Sequence, residues 1–129
     1  MKRVFNLFFV FLCLSLSLIR ANALTFEEGF EQTSKTPMAV IIYAQWADGY
    51  QNCINQFKSI QSKFVKKYNF VELDIASKDA KAFNDRYHIY PKLPYMLIYR
   101  DNGRVSRYIP RECVLDESCL TTKLKVFIQ

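Results

Sequence analysis

Apolar positions along the chain fall into two patterns, short continuous runs and stripes at helical spacing. Residues 38–44, Met-Ala-Val-Ile-Ile-Tyr-Ala, form a continuous run rich in β-branched side chains. A strand buried on both faces reads this way, so the run is the candidate centre of a sheet. Further on, Cys53, Phe57, Ile60 and Phe64 stand at i, i+4, i+7 and i+11, which places them on one stripe of a helix. Lys58, Lys63, Lys66 and Lys67 fall elsewhere on its surface, and the helix is expected to end near Tyr68. Residues 46–52 before it are read as a loop. Residues 69–75 alternate into another strand, and residues 79–87 suit a short polar-faced helix.

Residues 95–99, the turn Asp101-Asn102-Gly103 and residues 104–109 predict a β-hairpin, because Asn and Gly take the positive φ that a tight turn needs. Leu120, Leu124 and Phe127 mark an amphipathic C-terminal helix, with Asp116 as its candidate N-cap. Near the other end Thr25 and Glu28 fit a capping box, which predicts a helix over 26–33 that Lys35-Thr36-Pro37 then breaks. The order is therefore α-β-α-β-α-β-β-α. Strands separated by helices run parallel with right-handed crossovers, and the last hairpin adds an antiparallel pair. The fold class is α/β, a central mixed sheet of about four strands flanked by helices.

The first residues read differently. Lys2 and Arg3 precede an apolar run from Val4 to about Ile19, followed by Ala21-Asn22-Ala23, the small-x-small pattern of a secretory cleavage site. Residues 1–23 are read as a signal peptide and 24–129 as one domain with one core. The alternative is an uncleaved N-terminal anchor, the one route by which a membrane enters this reading. A lipoprotein is not indicated, since Leu12 precedes Cys13 where a small residue is expected. Loss of Lys2, Arg3 and Arg20 lowers the formal charge from +6 to +3, too little to argue for nucleic acid. The arginines 100, 104, 107 and 111 and the lysines around 63–67 are read as solvated faces. The expected location is exported, periplasmic or secreted.

Export implies an oxidising compartment, in which Cys53, Cys113 and Cys119 can form one disulfide and leave one thiol over. The favoured pairing is local: Cys113 and Cys119 flank the start of the last helix, and a separation of six is compatible with the ~5.5–6 Å Cα spacing of a disulfide. Cys53 shares its stripe with Phe57, Ile60 and Phe64, so it reads as a small buried hydrophobe, a bridged cysteine or a reactive single thiol. His88 is the only histidine, and with scattered cysteines it gives no metal-ligand spacing. Only Gly29, Gly49 and Gly103 are present, which leaves no glycine-rich phosphate loop, and no cofactor is implied.

Over residues 25–129 the chain resembles the thioredoxin superfamily, looking most like its exported branch. The likeness rests on "SKTPMAVIIYAQW", on "YHIYPKLPYMLIYRDNG" and on the element order. In that family the first segment leads into a Cys-x-x-Cys at the start of a helix, and the second carries a cis-proline facing it. The resemblance puts Pro94 at the cis-proline. It puts Ala47 where the nucleophilic cysteine stands, with Tyr50 three residues on, and Ile41 where many thioredoxins bury an aspartate. Setting Cys53 on the second cysteine takes an insertion of about three residues. The family fold also brings the loop before the last helix to the face of the active-site loop, which keeps a Cys53–Cys113 bridge open as an alternative.

The resemblance therefore implies a protein that has kept the scaffold without the paired thiols. A cis-proline loop offers sheet-edge backbone to an extended peptide, and Trp46, Tyr50, Tyr90 and Tyr95 would ring that surface. The candidate binding residues are Trp46, Tyr50, Leu93, Pro94 and Tyr95, with a protein or extended peptide as partner. The enzymatic alternative makes Cys53 the catalytic residue of a monothiol or atypical thiol–disulfide oxidoreductase or isomerase, its thiolate favoured by a helix N-terminus. A third reading is a structural subunit of an envelope assembly.

Overall fold

The structure, a computed structural model, describes residues 24–87, 89 and 92–129. The expected signal peptide over 1–23, and His88, Tyr90 and Pro91, lie outside the described residues. Among those described, no helix is long and apolar enough to cross a membrane.

The chain order is α1 (Phe26–Glu31), a 3-10 turn (Gln32–Ser34), β1 (Met38–Tyr43), α2 (Tyr50–Lys63), β2 (Asn69–Asp74), α3 (Lys78–Tyr87), β3 (Tyr95–Arg100), β4 (Val105–Ile109), α4 (Arg111–Val114) and α5 (Glu117–Phe127). The strands form one mixed sheet in the order β2-β1-β3-β4. β2 runs parallel to β1, with Met38 opposite Asn69 and Tyr43 opposite Asp74. β3 lies antiparallel on the other side of β1, with Ile42 opposite Tyr95, and β4 pairs antiparallel with β3. The layered α/β architecture is the one that the hydrophobic pattern predicts, but the expectation that helix-separated strands run parallel holds for β2 alone. β3 starts opposite Ile42, so the connection through α3 returns to the end of the sheet where β2 stops, and β3 runs back antiparallel to β1.

β1 holds the layers together. Met38 to Ile42 are all fully buried, and strand alternation sends them to opposite faces. Met38, Val40 and Ile42 pack with Phe26 of α1, Ala80 and Phe83 of α3, and Tyr95 and Tyr99 of β3. Ala39 and Ile41 pack with Cys53, Phe57 and Ile60 of α2 and with Leu120, Leu124 and Phe127 of α5. Each such aliphatic side chain contributes about 1.5–3 kcal/mol relative to exposure.

Local chemistry sets the ends of the elements. Thr25 Oγ1 accepts from the Glu28 N–H at 3.2 Å and donates its own proton to Glu28 Oε1 at 3.0 Å. The expected capping pair is present, with the carboxylate on the hydroxyl. Asp116 caps α5 as expected, accepting from the Cys119 N–H at 3.1 Å. α2 starts three residues before its apolar stripe, since Gly49 takes φ 81° and serves as its N-cap. Residues 50–52, expected as loop, are therefore helical. α4 was not foreseen; four residues are too few to show a period.

The β3–β4 turn carries positive φ at Asp101 (55°), Asn102 (59°) and Gly103 (75°). Only a glycine fits at 103: a Cβ there would lie 2.2 Å from Cζ of Phe30, a ring stacked on Phe26 and edge-on to Tyr99. Gly103→Ala is expected to destabilise the fold by about 1–3 kcal/mol in urea unfolding, through both the backbone and the clash. Asn102→Gly, which relieves a positive φ and adds no volume, is expected to stay within about 0.5 kcal/mol of the parent.

Candidate functional site

The site lies at the C-terminal end of β1, where two loops converge. One leaves β1 at Ala44 and makes two successive turns, with the Ala47 N–H on the Ala44 carbonyl at 3.1 Å and the Tyr50 N–H on the Ala47 carbonyl at 3.2 Å. The other leads into β3 through a cis Leu93–Pro94 peptide. Because Tyr95 pairs with Ile42, that peptide arrives beside the loop leaving β1.

Between the loops lies an open groove of about 590 Å³, lined by Trp46, Ala47, Asp48, Lys92, Leu93, Arg111 and Glu112. Trp46 stands over it with 75 % of its surface exposed, more than any other large hydrophobic side chain described. Leu93 is 6 % exposed and Pro94 is buried behind it. Tyr50 is half-buried, its ring stacked on Tyr43 at 5.6 Å.

Tyr95 departs from expectation. It is fully buried in the cluster of Ile42 and Val40, with the Tyr108 ring 5.3 Å away. Pairing with Ile42 turns it into the core, so it supports the loop from beneath and offers no surface to a partner. Tyr90 lies outside the described residues.

Sequence reasoning missed Arg111, which was read as part of a solvated face. Its Nε donates to the Leu93 carbonyl at 3.2 Å and its Nη2 to the Asp48 carbonyl at 3.1 Å. One guanidinium thus ties the Trp46 loop to the cis-proline loop. The hairpin register carried the signal: with Ile109 opposite Met96, residue 111 falls beside residue 94 at the same end of the sheet.

α4, which carries Arg111, is anchored from two further directions. Gln56 Nε2 of α2 donates to the Val114 carbonyl, and Cys113 is bonded to Cys119 with the Cα atoms 5.2 Å apart. The local pairing is the one formed, and Cys53 is a free thiol. Cys53 is the fourth residue of α2 and 1 % exposed, packed among Ile41, Phe57 and Ile60. Burial, and secondarily the charge of Glu72, pushes its pKa up to about 11. The helix starts at Tyr50 and the Cys53 N–H already bonds the Gly49 carbonyl at 2.8 Å, so Cys53 lies inside the helix and past the N-terminal end expected to favour a thiolate.

No protein-family model matches the sequence, and no curated protein matches it. Solved structures do. A thioredoxin of Fasciola hepatica superposes with a TM-score of 0.63 at 15 % identity, over 78 % of this chain and 88 % of that one. The germline-specific thioredoxin Deadhead of Drosophila melanogaster gives 0.61 at 20 %, over 82 % and 97 %. The Trx4 domain of ERdj5 gives 0.57 at 16 %, over 74 % and 82 %. The chain therefore has the thioredoxin fold, and the likeness extends to the fold alone.

With a pKa near 11, about one Cys53 thiol in a thousand is ionised near pH 8, against about one in ten at the ordinary value near 9. Iodoacetamide labelling of the native protein is expected to be at least about 100-fold slower than in denaturant, and rapid native labelling would contradict the burial. The folded state holds the proton more tightly than the unfolded state, so this contribution to stability is intact below about pH 9. It is lost as pH rises through about 11, which urea midpoints across that window will register.

Proposed function

We propose that the chain is exported and works by binding an extended protein segment across the Trp46/Pro94 face, without dithiol exchange. The observation that carries this reading is the 75 % exposed indole at an open groove beside the cis Leu93–Pro94 peptide. An indole covered by a partner supplies a large apolar area and a single N–H donor, which is why tryptophan is frequent among interface anchors. Arg111 complements it. A guanidinium has five N–H donors, and two N–H bonds, to Leu93 and Asp48, are made within the chain. The remaining donors suit carbonyl groups of a segment lying along the groove.

Charge in the groove is balanced, Lys92 and Arg111 against Asp48 and Glu112. Apolar contact and backbone hydrogen bonds, which depend little on salt, would then dominate. Against thiol chemistry stand Ala47 in the loop beneath Trp46, the closed Cys113–Cys119 bond and the burial of Cys53. Residues 1–23 would direct export and be removed, so the exported protein is expected to have the mass of residues 24–129.

The test is selection of extended peptides on the immobilised protein from a random library, followed by anisotropy titration of those selected. Trp46→Ala is expected to weaken them at least about tenfold, and Arg111→Ala by about three- to tenfold, with the melting transition retained. Peptides indifferent to both substitutions, or catalytic reduction of insulin that Cys53→Ser abolishes, would overturn the reading.

A further inference from the structure

A second cleft lies on the other side of the hairpin. Ile98 and Ile109 of the sheet and Val126 and Phe127 of α5 form its apolar walls, around a space of about 240 Å³. Arg100, Arg107 and Lys123 line it as well. Ile98 pairs with Arg107 across the strands, and strand alternation brings Arg100 to the same face, toward α5.

These three cations are poorly compensated. Arg100 Nη1 meets Asp101 at 2.6 Å, yet its Nε is buried with no hydrogen-bond partner among the described residues, and its guanidinium lies 5.3 Å over the Phe127 ring. Arg107 donates to a neutral group, the Ser106 carbonyl, at 2.7 Å. Among the described residues the ion pairs are Lys63–Glu117 and Arg100–Asp101, so neither Arg107 nor Lys123 has a carboxylate. Beside the cations Val126 is 61 % exposed, and Tyr108, on the other face of β4, is 45 % exposed.

β4 is also an edge. It pairs with β3 on one side, and among the described residues no strand covers the other. Alternate N–H and C=O groups of an edge strand point outward, ready for a further strand.

We propose that the β4 edge and the β4–α5 cleft together dock an acidic extended protein segment, which adds to the sheet as a fifth strand and sets its carboxylates against Arg107, Lys123 and Arg100. The free edge takes the backbone, the cations and Val126 meet side chains of one face, and Tyr108, on the other face with Tyr95, meets the alternate apolar ones. Charge disfavours a second copy of this chain: antiparallel pairing of two β4 strands about their midpoint sets Arg107 against Arg107, and like charges directly opposite are destabilising. This surface is separate from the Trp46 groove in lining residues and in electrostatics.

The probe is a fluorescein-labelled peptide of about eight residues alternating Val with Glu or Asp, matched to strand length, titrated by anisotropy onto the protein of residues 24–129. Binding is expected to weaken at least about tenfold in Arg107→Glu/Lys123→Glu, and to weaken steeply from about 50 to about 300 mM NaCl. It should stay unchanged in Trp46→Ala, and a peptide with Lys at the acidic positions should bind the charge-reversed protein in its place. Both substituted side chains are exposed, so an unchanged thermal transition shows that the fold is intact. No binding up to about 1 mM, equal binding of an Asn/Gln peptide, or indifference to charge reversal would overturn the proposal. So would loss in Trp46→Ala, which assigns the peptide to the first groove. Dimerisation through β4, or tighter binding of a single-stranded oligonucleotide at the same residues, would replace the occupant and overturn it as well.

Discussion

Because β1 is buried on both faces, no charged side chain is accommodated along it, and each residue must find an apolar partner above or below the sheet. Ile41 meets this demand on the face of α2 and α5, and in doing so helps build the apolar surroundings of Cys53. The packing that forms the core is therefore also what raises the Cys53 pKa. The side chains that anchor α2 against the sheet also keep water from the sulfur, and a sulfur without water holds its proton. An exposed thiolate at 53 would require opening the contact that joins α2 to the sheet.

The site depends on the same strand in another way. Where β1 ends, its parallel and antiparallel neighbours place different loops at one end of the sheet, and the backbone groups there no longer belong to the ladder. Those groups need partners. Arg111 supplies two of them, bonding the carbonyls of Asp48 and Leu93 from a short helix held by the Cys113–Cys119 bond and by Gln56. α4 is too short to be stable by itself, so its cross-links define the position of Arg111. A disulfide closing so short a loop contributes roughly 2–3 kcal/mol on the chain-entropy account. Here it also orients the residue that joins the two loops.

Most of the elements and their order along the chain were legible in the pattern of apolar residues, because β1 and the α2 stripe are periodic over enough residues to exclude the alternatives. The antiparallel direction of β3 was not, since a helix between two strands does not by itself say at which end of the sheet the chain re-enters. The capping pairs Thr25/Glu28 and Asp116/Cys119 were legible for a different reason, since the chemistry of an N-cap is local. What escaped was governed by tertiary geometry. The start of α2 was hidden because Tyr50, Gln51 and Asn52 carry no core stripe, while the positive φ of Gly49 that fixes it has no hydrophobic signature. Tyr95 reads as an aromatic beside a proline, and only its pairing with Ile42 shows that it points inward. Arg111 looked like one of several surface arginines until the hairpin register placed it beside the cis-proline loop.

The two surfaces differ in what limits them. In the groove under Trp46 both signs of charge are present, so the specificity of the proposed peptide binding would come from shape, from the indole and from the donors of one guanidinium. In the β4–α5 cleft three cations face one acid, which accounts for two of the three net positive charges of residues 24–129. A small overall charge thus hides a local concentration of positive charge, which in the proposed complex would select a partner by sign. The edge strand makes that field consequential: an uncovered β4 would pair with any extended chain, and Arg107 at its midpoint both repels a second copy and favours an acidic one. In the proposed complex the residue that guards the edge would therefore also set the chemistry of its occupant.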